Sequence, residues 1–457
     1  MKYLKSINPS TYEEIGRVQI STKKVIENAV ALAHNAKENW RNIGLEKRIQ
    51  LLRKVFEELA EKKDEMAVLI SKEMGMPINE SMENVDSAVD NANWYFENAK
   101  KYLSPETSFE NDTEISQVFY EPMGVIVSIL PWNFPINNVV WSCVQALIAG
   151  NVIVVKLSEE CPLSGKFIEK IFNNHLPEGV FAEVYGLGKV GAELIEQDIN
   201  MITFTGSTGT GKYIYEVAGK RFIKAVMELG GSAPGIIFGD ADIELAVENA
   251  CMQRLYNQGQ CCDGLKRLIV HESVFKQVLE KIIKIFKNKK VGNSEDKSTE
   301  IGPLVSKRQL DLLISQCEEA KSRGAKIEVG GKSLEKELGG AFFEPTVITN
   351  IKKDMKVWTD EVFGPILPII KFQTDKEAVE LANDTKYGLG AYVYTKNMKR
   401  ADIISQALES GMVNVNGVNY IRPSNPFGGY KNSGIGRQHG KYGFHEVTQI
   451  KVIARNK

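Results

Sequence analysis

The chain has 457 residues, of which 43% are hydrophobic and 25% charged, and a formal net charge of −1. That length gives room for two or more domains, each with its own core. The balanced charge excludes a global field that would draw nucleic acid or an anionic membrane surface.

The N-terminus carries no apolar segment of the secretory type, and the longest apolar runs are short and bounded by Gly or Pro. A membrane span is therefore not expected. Residues 23–100 read as helices, with Leu52, Val55, Phe56 and Leu59 forming an apolar stripe at helical spacing. Residues 105–120 are polar and partly alternating, as in a hairpin leaving the body. From Gly124 the pattern changes to short buried strands at 124–130, 151–156, 182–185 and 201–204. Helical stretches such as 163–174 and 190–197 separate them. This alternation is the signature of a parallel sheet with crossover helices. A second strand–helix series follows: a strand at 234–238, a helix over 242–257, a strand at 266–270 and a helix over 273–287. Later strands are expected at 366–372, 390–395 and 411–415, and a last one over 448–454. The fold class is α/β.

The six cysteines are Cys143, Cys161, Cys251, the adjacent Cys261 and Cys262, and Cys317. They form no CxxC pair, and only His271 lies near them, so neither a disulfide framework nor a metal site is expected. A reducing cytoplasm fits this usage.

Several segments carry chemistry. Pro131 and Pro135 fix the backbone on both sides of Asn133, and a rigidly held carboxamide is a suitable oxyanion donor; a plain structural turn is the competing possibility. Lys156 and Glu159 follow the strand 151–155, where open parallel sheets bind ligands. Glu159 suits a ribose diol and Lys156 a hydroxyl or phosphate, although solvated loop charges are common there. The glycine-rich run 206–212 lies between a strand and a helix, a phosphate-binding arrangement or simply a tight turn. Its GxxxxGK spacing resembles a P-loop, but Tyr213 stands where Ser or Thr would hold magnesium. Cys262 is flanked by Gly259, Gln260, Asp263 and Gly264, which suit an exposed turn. A thiol there can serve as a covalent nucleophile, and Glu228, upstream in Glu-Leu-Gly-Gly, can activate the water that releases a thioester.

Taken together, Pro-Trp-Asn-Phe-Pro (131–135), Phe-Thr-Gly-Ser-Thr (204–208), Glu-Leu-Gly-Gly (228–231), Gly-Gln-Cys-Cys (259–262), Glu-Val-Phe-Gly-Pro (361–365) and Pro-Phe-Gly-Gly-Tyr-Lys-Asn-Ser-Gly (426–434) resemble the NAD(P)-dependent aldehyde dehydrogenase superfamily. The match covers nearly the whole chain. The resemblance implies a Rossmann-like cofactor domain (1–105 and 123–230), an α/β catalytic domain (231–432) and a small β oligomerisation unit (106–122 and 433–457). It implies Cys262 as nucleophile, Asn133 with the Cys262 backbone N–H as oxyanion site, and Glu228 as deacylating base. Gly206 and Ser207 would meet the cofactor pyrophosphate, Lys156 and Glu159 the adenosine ribose, Glu361 the nicotinamide ribose, and Phe363 and Trp132 would lie beside the cofactor. The carboxylate of Glu159 would repel a 2′-phosphate, so NAD is expected over NADP.

Ser232 after Glu-Leu-Gly-Gly, and Lys266-Arg267, give local similarity to succinate-semialdehyde dehydrogenases. The arginines that usually read a carboxylate in that group are replaced by Trp141 and Tyr256. With Phe134 and Asn138 these suggest a pocket for a small neutral or aromatic aldehyde; Arg422 or Arg254 keeps the semialdehyde option open. A homodimer or homotetramer is expected. A CoA-acylating enzyme would lack Glu228, and a non-catalytic relative would have lost Cys262 or Glu228.

Overall fold

The computed structural model describes residues 2–457. Strand Val125–Ile129 lies inside a six-stranded sheet. Val152–Lys156 and Phe181–Glu183 extend the sheet to one side, and Met201–Thr205, Lys224–Glu228 and the short Gly434–Ile435 to the other. Only Gly434–Ile435 runs antiparallel to its neighbour. Both faces are covered: Val125, Ile126, Val127 and all of Val152–Val155 are solvent-inaccessible. That is why these strands read as unbroken apolar runs rather than alternating ones. The chain winds outward from Val125–Ile129 in one direction, then returns to lay down Met201–Thr205 on the other side. The loops leaving the carboxyl ends of these two strands diverge, and a crevice opens between them.

Four helices, Lys23–Asn42, Leu45–Glu61, Lys63–Met74 and Ile78–Leu103, fill the predicted helical region. The stripe of Leu52, Val55, Phe56 and Leu59 is buried on the second of them. Thr22 caps the first, accepting from the Val25 N–H at 3.4 Å. Trp40 joins this layer to the sheet region by donating its indole N–H to the Leu147 carbonyl at 3.0 Å.

The second series forms a seven-stranded sheet in the order Lys326–Val329, Thr346–Thr349, Ile366–Phe372, Leu265–His271, Ala233–Ile237, Gly390–Tyr394, Met412–Val415. It is parallel except at its first pair. Separate apolar clusters cover its two faces, one around Phe238, Trp358 and Phe372, the other around Leu255, Val278 and Phe286. The helix predicted over 242–257 stops at Leu255, because the backbone turns left-handed at Asn257. Residues 105–120 do form a hairpin, Glu106–Glu110 with Glu114–Pro122, and Thr448–Asn456 adds a third antiparallel strand. Asn111 makes the turn, its side-chain oxygen accepting from the N–H groups of Thr113 and Glu114 at 2.9 and 2.8 Å. No described helix is long and apolar enough to cross a membrane.

Candidate active site

The crevice of the first sheet faces the loops that enter the interior strands Leu265–His271 and Ile366–Phe372 of the second. Between them lies a cavity of about 470 Å³ whose wall includes Asn133, Phe134, Trp141, Glu228, Cys262 and Glu361. The Pro-Trp-Asn-Phe-Pro segment leaves the strand Val125–Ile129, and Glu228 ends Lys224–Glu228, so the first sheet supplies two of the candidate groups. Cys262 arrives from the other side, on the turn that enters Leu265–His271.

That turn is strained. Asn257, Gln258 and Gly259 all have φ between 50° and 75°. Left-handed non-glycine residues cost about 1–3 kcal/mol each, so the surroundings must hold them. They do so from four directions. The Asn257 N–H donates to Glu80 at 2.8 Å, and its side chain to the Asn133 carbonyl at 2.9 Å. Gln258 donates to the Gly75 carbonyl at 2.9 Å. Arg254, fully buried, donates to the carbonyls of Gly259 at 2.6 Å and Val362 at 3.4 Å. The flanks of Cys262 are therefore not the exposed turn that their composition suggests: Asn257, Gln260 and Asp263 are all buried. Polarity there serves internal hydrogen bonding. Arg254 is likewise unavailable to a substrate carboxylate, and Arg422 is exposed and outside the cavity wall.

Asn133 is held at both ends. Its Nδ2 donates to the Gln260 carbonyl at 3.2 Å, and its Oδ1 accepts from Asn138 at 3.3 Å. The other Nδ2 proton has no acceptor among the described residues, and the residue lines the cavity. Glu228 is 2% exposed, and neither carboxyl oxygen has a hydrogen-bond partner among the described residues. Burial pushes its carboxyl well above the usual carboxylate range; Arg437 opposes the shift and Glu446 adds to it. Burial also pushes the Cys262 thiol up, with Asp263 adding to the effect and Lys266 opposing it. In both groups burial favours the protonated form over the charged one. Cys261, the neighbouring thiol, is not part of the cavity wall and donates to Asp263 Oδ1 at 3.0 Å, the same oxygen that lies 3.9 Å from the Cys262 sulfur.

Glu361 and Phe363 enter the same cavity from the second sheet's side, and Trp132 packs edge-on to Phe363 at 5.5 Å. A second cavity of about 540 Å³ adjoins the first, sharing Trp132, Gly206 and Arg308 with it. Lys156 and Glu159 lie in this second cavity, apart from Cys262. They are joined to each other at 3.4 Å. Ser207 caps the helix Thr208–Arg221, and a Cβ built at Gly209 would meet nothing within 4 Å, so this helix N-terminus is open to the cavity. An open helix start with Ile129, Phe204 and Ile214 nearby suits a phosphate flanked by an apolar ring. The two cavities together thus fit a dinucleotide.

Of the expected pocket residues, Phe134, Asn138 and Trp141 line the cavity. Tyr256 does not; it stacks behind Phe134 with ring centroids 6.0 Å apart. Phe427, Gln438, Gln309 and Leu312 line the wall and were not anticipated. Phe427 carried a signal, since it stands in the motif 426–434. Gln309 and Leu312 carried none, being ordinary residues of the amphipathic helix Lys307–Ser322.

The model of the aldehyde dehydrogenase family matches residues 1–453. Retinaldehyde dehydrogenase 3 of Homo sapiens is 35% identical, over 99% of this chain and 89% of that protein. The mitochondrial succinate-semialdehyde dehydrogenase of Oryza sativa subsp. japonica is 34% identical, over 98% of this chain and 85% of that one. The NAD+ complex of an aldehyde dehydrogenase from Bacillus cereus superposes with a TM-score of 0.96 at 35% identity, covering 100% of this chain and 93% of that one. A structure described as an NADP-dependent enzyme of E. coli superposes equally well, at 0.96 and 32% identity, over 100% and 95% of the two chains.

Proposed function

The chain belongs to the aldehyde dehydrogenase family and is an oxidoreductase acting on aldehydes, and we propose from that premise that it oxidises a small neutral or aromatic aldehyde to the acid, with NAD, through a thioester on Cys262. One observation carries the reading: a thiol, a carboxamide N–H without a protein acceptor and a buried unpaired carboxyl converge on one cavity.

Each residue then has a task. Cys262 gives its thiol proton to water, the thiolate sulfur forms a C–S bond with the aldehyde carbon, and the carbonyl electron pair moves onto oxygen. The Asn133 amide and the Cys262 backbone N–H hold that oxyanion. When bound, NAD supplies the two-electron acceptor that brings the carbon to the acid oxidation level. Glu361 and Phe363 would hold its nicotinamide end, Gly206 and Ser207 its pyrophosphate, Lys156 and Glu159 its adenosine ribose. Glu228 takes a proton from water as the water oxygen attacks the thioester carbon, the C–S bond breaks, and the sulfur leaves as thiolate.

The substrate class follows from charge. Among the described residues, the cavity wall holds no buried cation: Arg308 is the one arginine there, its side chain is 80% exposed, and it pairs with Glu160 at 3.0 Å. A buried carboxylate on the substrate would be left unpaired, at a cost of several kcal/mol. Phe134, Trp141 and Phe427 offer apolar area instead. The carboxylate of Glu159, facing the second cavity, supports NAD over NADP. The exposed last strand, with Ile450 68% and Val452 61% accessible, supports pairing of sheet edges between subunits in a dimer or tetramer. The test is kcat/KM for NAD and NADP across succinate semialdehyde, lactaldehyde, glyceraldehyde, benzaldehyde and short aliphatic aldehydes, with and without CoA. Preference for NADP, for the semialdehyde, or for CoA as acyl acceptor would each overturn the corresponding part.

A further inference from the structure

A buried lysine with no task in the steps above stands between the two halves of the site. The Lys266 side chain is 1% exposed, on the strand that follows the Cys262 turn. Its ammonium has three acceptors: the Gly231 carbonyl at 2.8 Å, the Cys262 carbonyl at 2.8 Å and Glu361 Oε1 at 2.6 Å. It also lies 5.3 Å from the centre of the Phe363 ring. Three acceptors for three donors leave the charge fully satisfied without water. Glu361 Oε1 accepts a second bond, from the Gly231 N–H at 3.0 Å. Its Oε2 has no protein donor among the described residues and lies against Gly230, where a Cβ would come within 2.3 Å of it. One carboxylate oxygen is thus anchored inward and the other is free.

We propose that Lys266 is a positioning residue that ties the nucleophile turn to the carboxylate holding the nicotinamide ribose, so that the reacting carbon and the hydride acceptor are held at a set separation. The proposal rests on Glu361 being that ribose anchor. A small or apolar residue at this strand position would avoid the desolvation of a buried ammonium, so the charge is retained for its bonds. Because one ammonium grips both the Cys262 carbonyl and the Glu361 carboxylate, the two cannot shift independently. Loss of the cation leaves Glu361 Oε1 held by the Gly231 N–H alone and removes a positive charge close to the thiol.

The experiment measures NAD+ binding to cofactor-free enzyme by titration calorimetry in wild type, K266M, E361Q and the double variant. Each single change is expected to weaken binding roughly tenfold, the effect of one charge-assisted hydrogen bond. The double variant should bind about as E361Q does, because Lys266 acts through Glu361. The second readout is the pH profile of Cys262 alkylation by iodoacetamide in the same proteins without cofactor. The profile should move to higher pH in K266M and return toward wild type in K266R. Should K266M not fold, K266Q carries both readouts. A multiplicative, roughly hundredfold loss in the double variant, or an unmoved alkylation profile, overturns the proposal alone. Wild-type protein that binds neither NAD+ nor NADP+ overturns the cofactor reading as well.

Discussion

Replacing Asn133 by alanine tests the oxyanion site directly. The side chain spends one Nδ2 proton on the Gln260 carbonyl at 3.2 Å, and Asn138 holds its Oδ1 at 3.3 Å. The remaining N–H is the only part of the amide that the fold does not use, so deletion removes a donor aimed at developing negative charge. Such a donor contributes about 2.7–4 kcal/mol in the transition state, and kcat should fall about 10²–10³-fold. Stability should change little. The Gln260 carbonyl keeps the Asn257 side chain at 3.4 Å, so the lost bond is worth about 1 kcal/mol. Steady-state NADH formation and thermal melting measure the two effects on the same preparation. Asn138→Leu should give a smaller loss, since the amide stays but its orientation is no longer fixed. A fall in kcat of less than about fivefold in Asn133→Ala, or a raised KM at unchanged kcat, would refute the role: the amide would then bind ground state and transition state alike.

Glu228→Gln should release one equivalent of NADH per site in a burst and then stall, because acylation survives and deacylation does not; a stopped-flow trace without a burst contradicts this. On the proposed mechanism the Glu228 carboxyl must lose a proton that burial favours keeping, so the kcat–pH profile of wild type should rise at a pH above the ordinary carboxylate range. The same shift has a stability sign. Above the ordinary carboxyl value of 4.5 the unfolded chain releases a proton that the native state retains, so native stability falls as pH rises. The melting temperature of Glu228→Gln should therefore gain on wild type with increasing pH, and a constant difference would contradict the buried-acid account. Gly259→Ala should cost about 2–5 kcal/mol, from a left-handed alanine and from overpacking, since its Cβ would sit 2.2 Å from Arg254 Nη2 and 2.5 Å from the Gly364 carbonyl; chemical denaturation measures it. Val452→Lys on the exposed last strand should lower the mass seen by light scattering if sheet edges pair between subunits, and an unchanged mass points to another interface.

Much of this was legible because the sequence patterns are local. The unbroken apolar runs at 124–130 and 151–156 announced strands buried on both faces, and such strands came with crossover helices. The segment 131–135 was readable as a rigid turn, since two prolines set it without help from distant residues. What escaped was set by long-range contact. The composition around Cys262 suggested exposure, but Gln260, Asn257 and Asp263 are buried because partners far along the chain, including Gly75, Glu80, Asn133 and Tyr420, satisfy them or their neighbours. Tyr256 was placed in the pocket because it stands where succinate-semialdehyde dehydrogenases usually carry an arginine, yet the left-handed turn that follows it leaves its ring behind Phe134. Lys266 was visible only in the Lys266-Arg267 pair, as a local similarity to succinate-semialdehyde dehydrogenases; its three acceptors come from segments that sequence spacing does not bring together.

The turn before Cys262 shows why the site is built across two sheets. On the proposed mechanism, the Cys262 sulfur needs a fixed approach to a carbonyl carbon whose oxygen meets the Asn133 amide, and an error of about 1 Å can cost a hundredfold in rate. A turn with two left-handed non-glycine residues would relax if it were free. Here relaxation would break the bond from Asn257 to the Asn133 carbonyl, the bond from Gln258 to Gly75 and the grip of Arg254 on Gly259. Asn133 belongs to the first sheet's crevice, Gly75 to the helical layer and Arg254 to the second sheet's own helix. The strain is thus tied to the packing of all three layers. A buried arginine at this point acts as a brace: truncating Arg254 would loosen the turn that carries Cys262 without touching the cavity wall, and would leave the Gly259 carbonyl, which has no other side-chain donor among the described residues, without its partner.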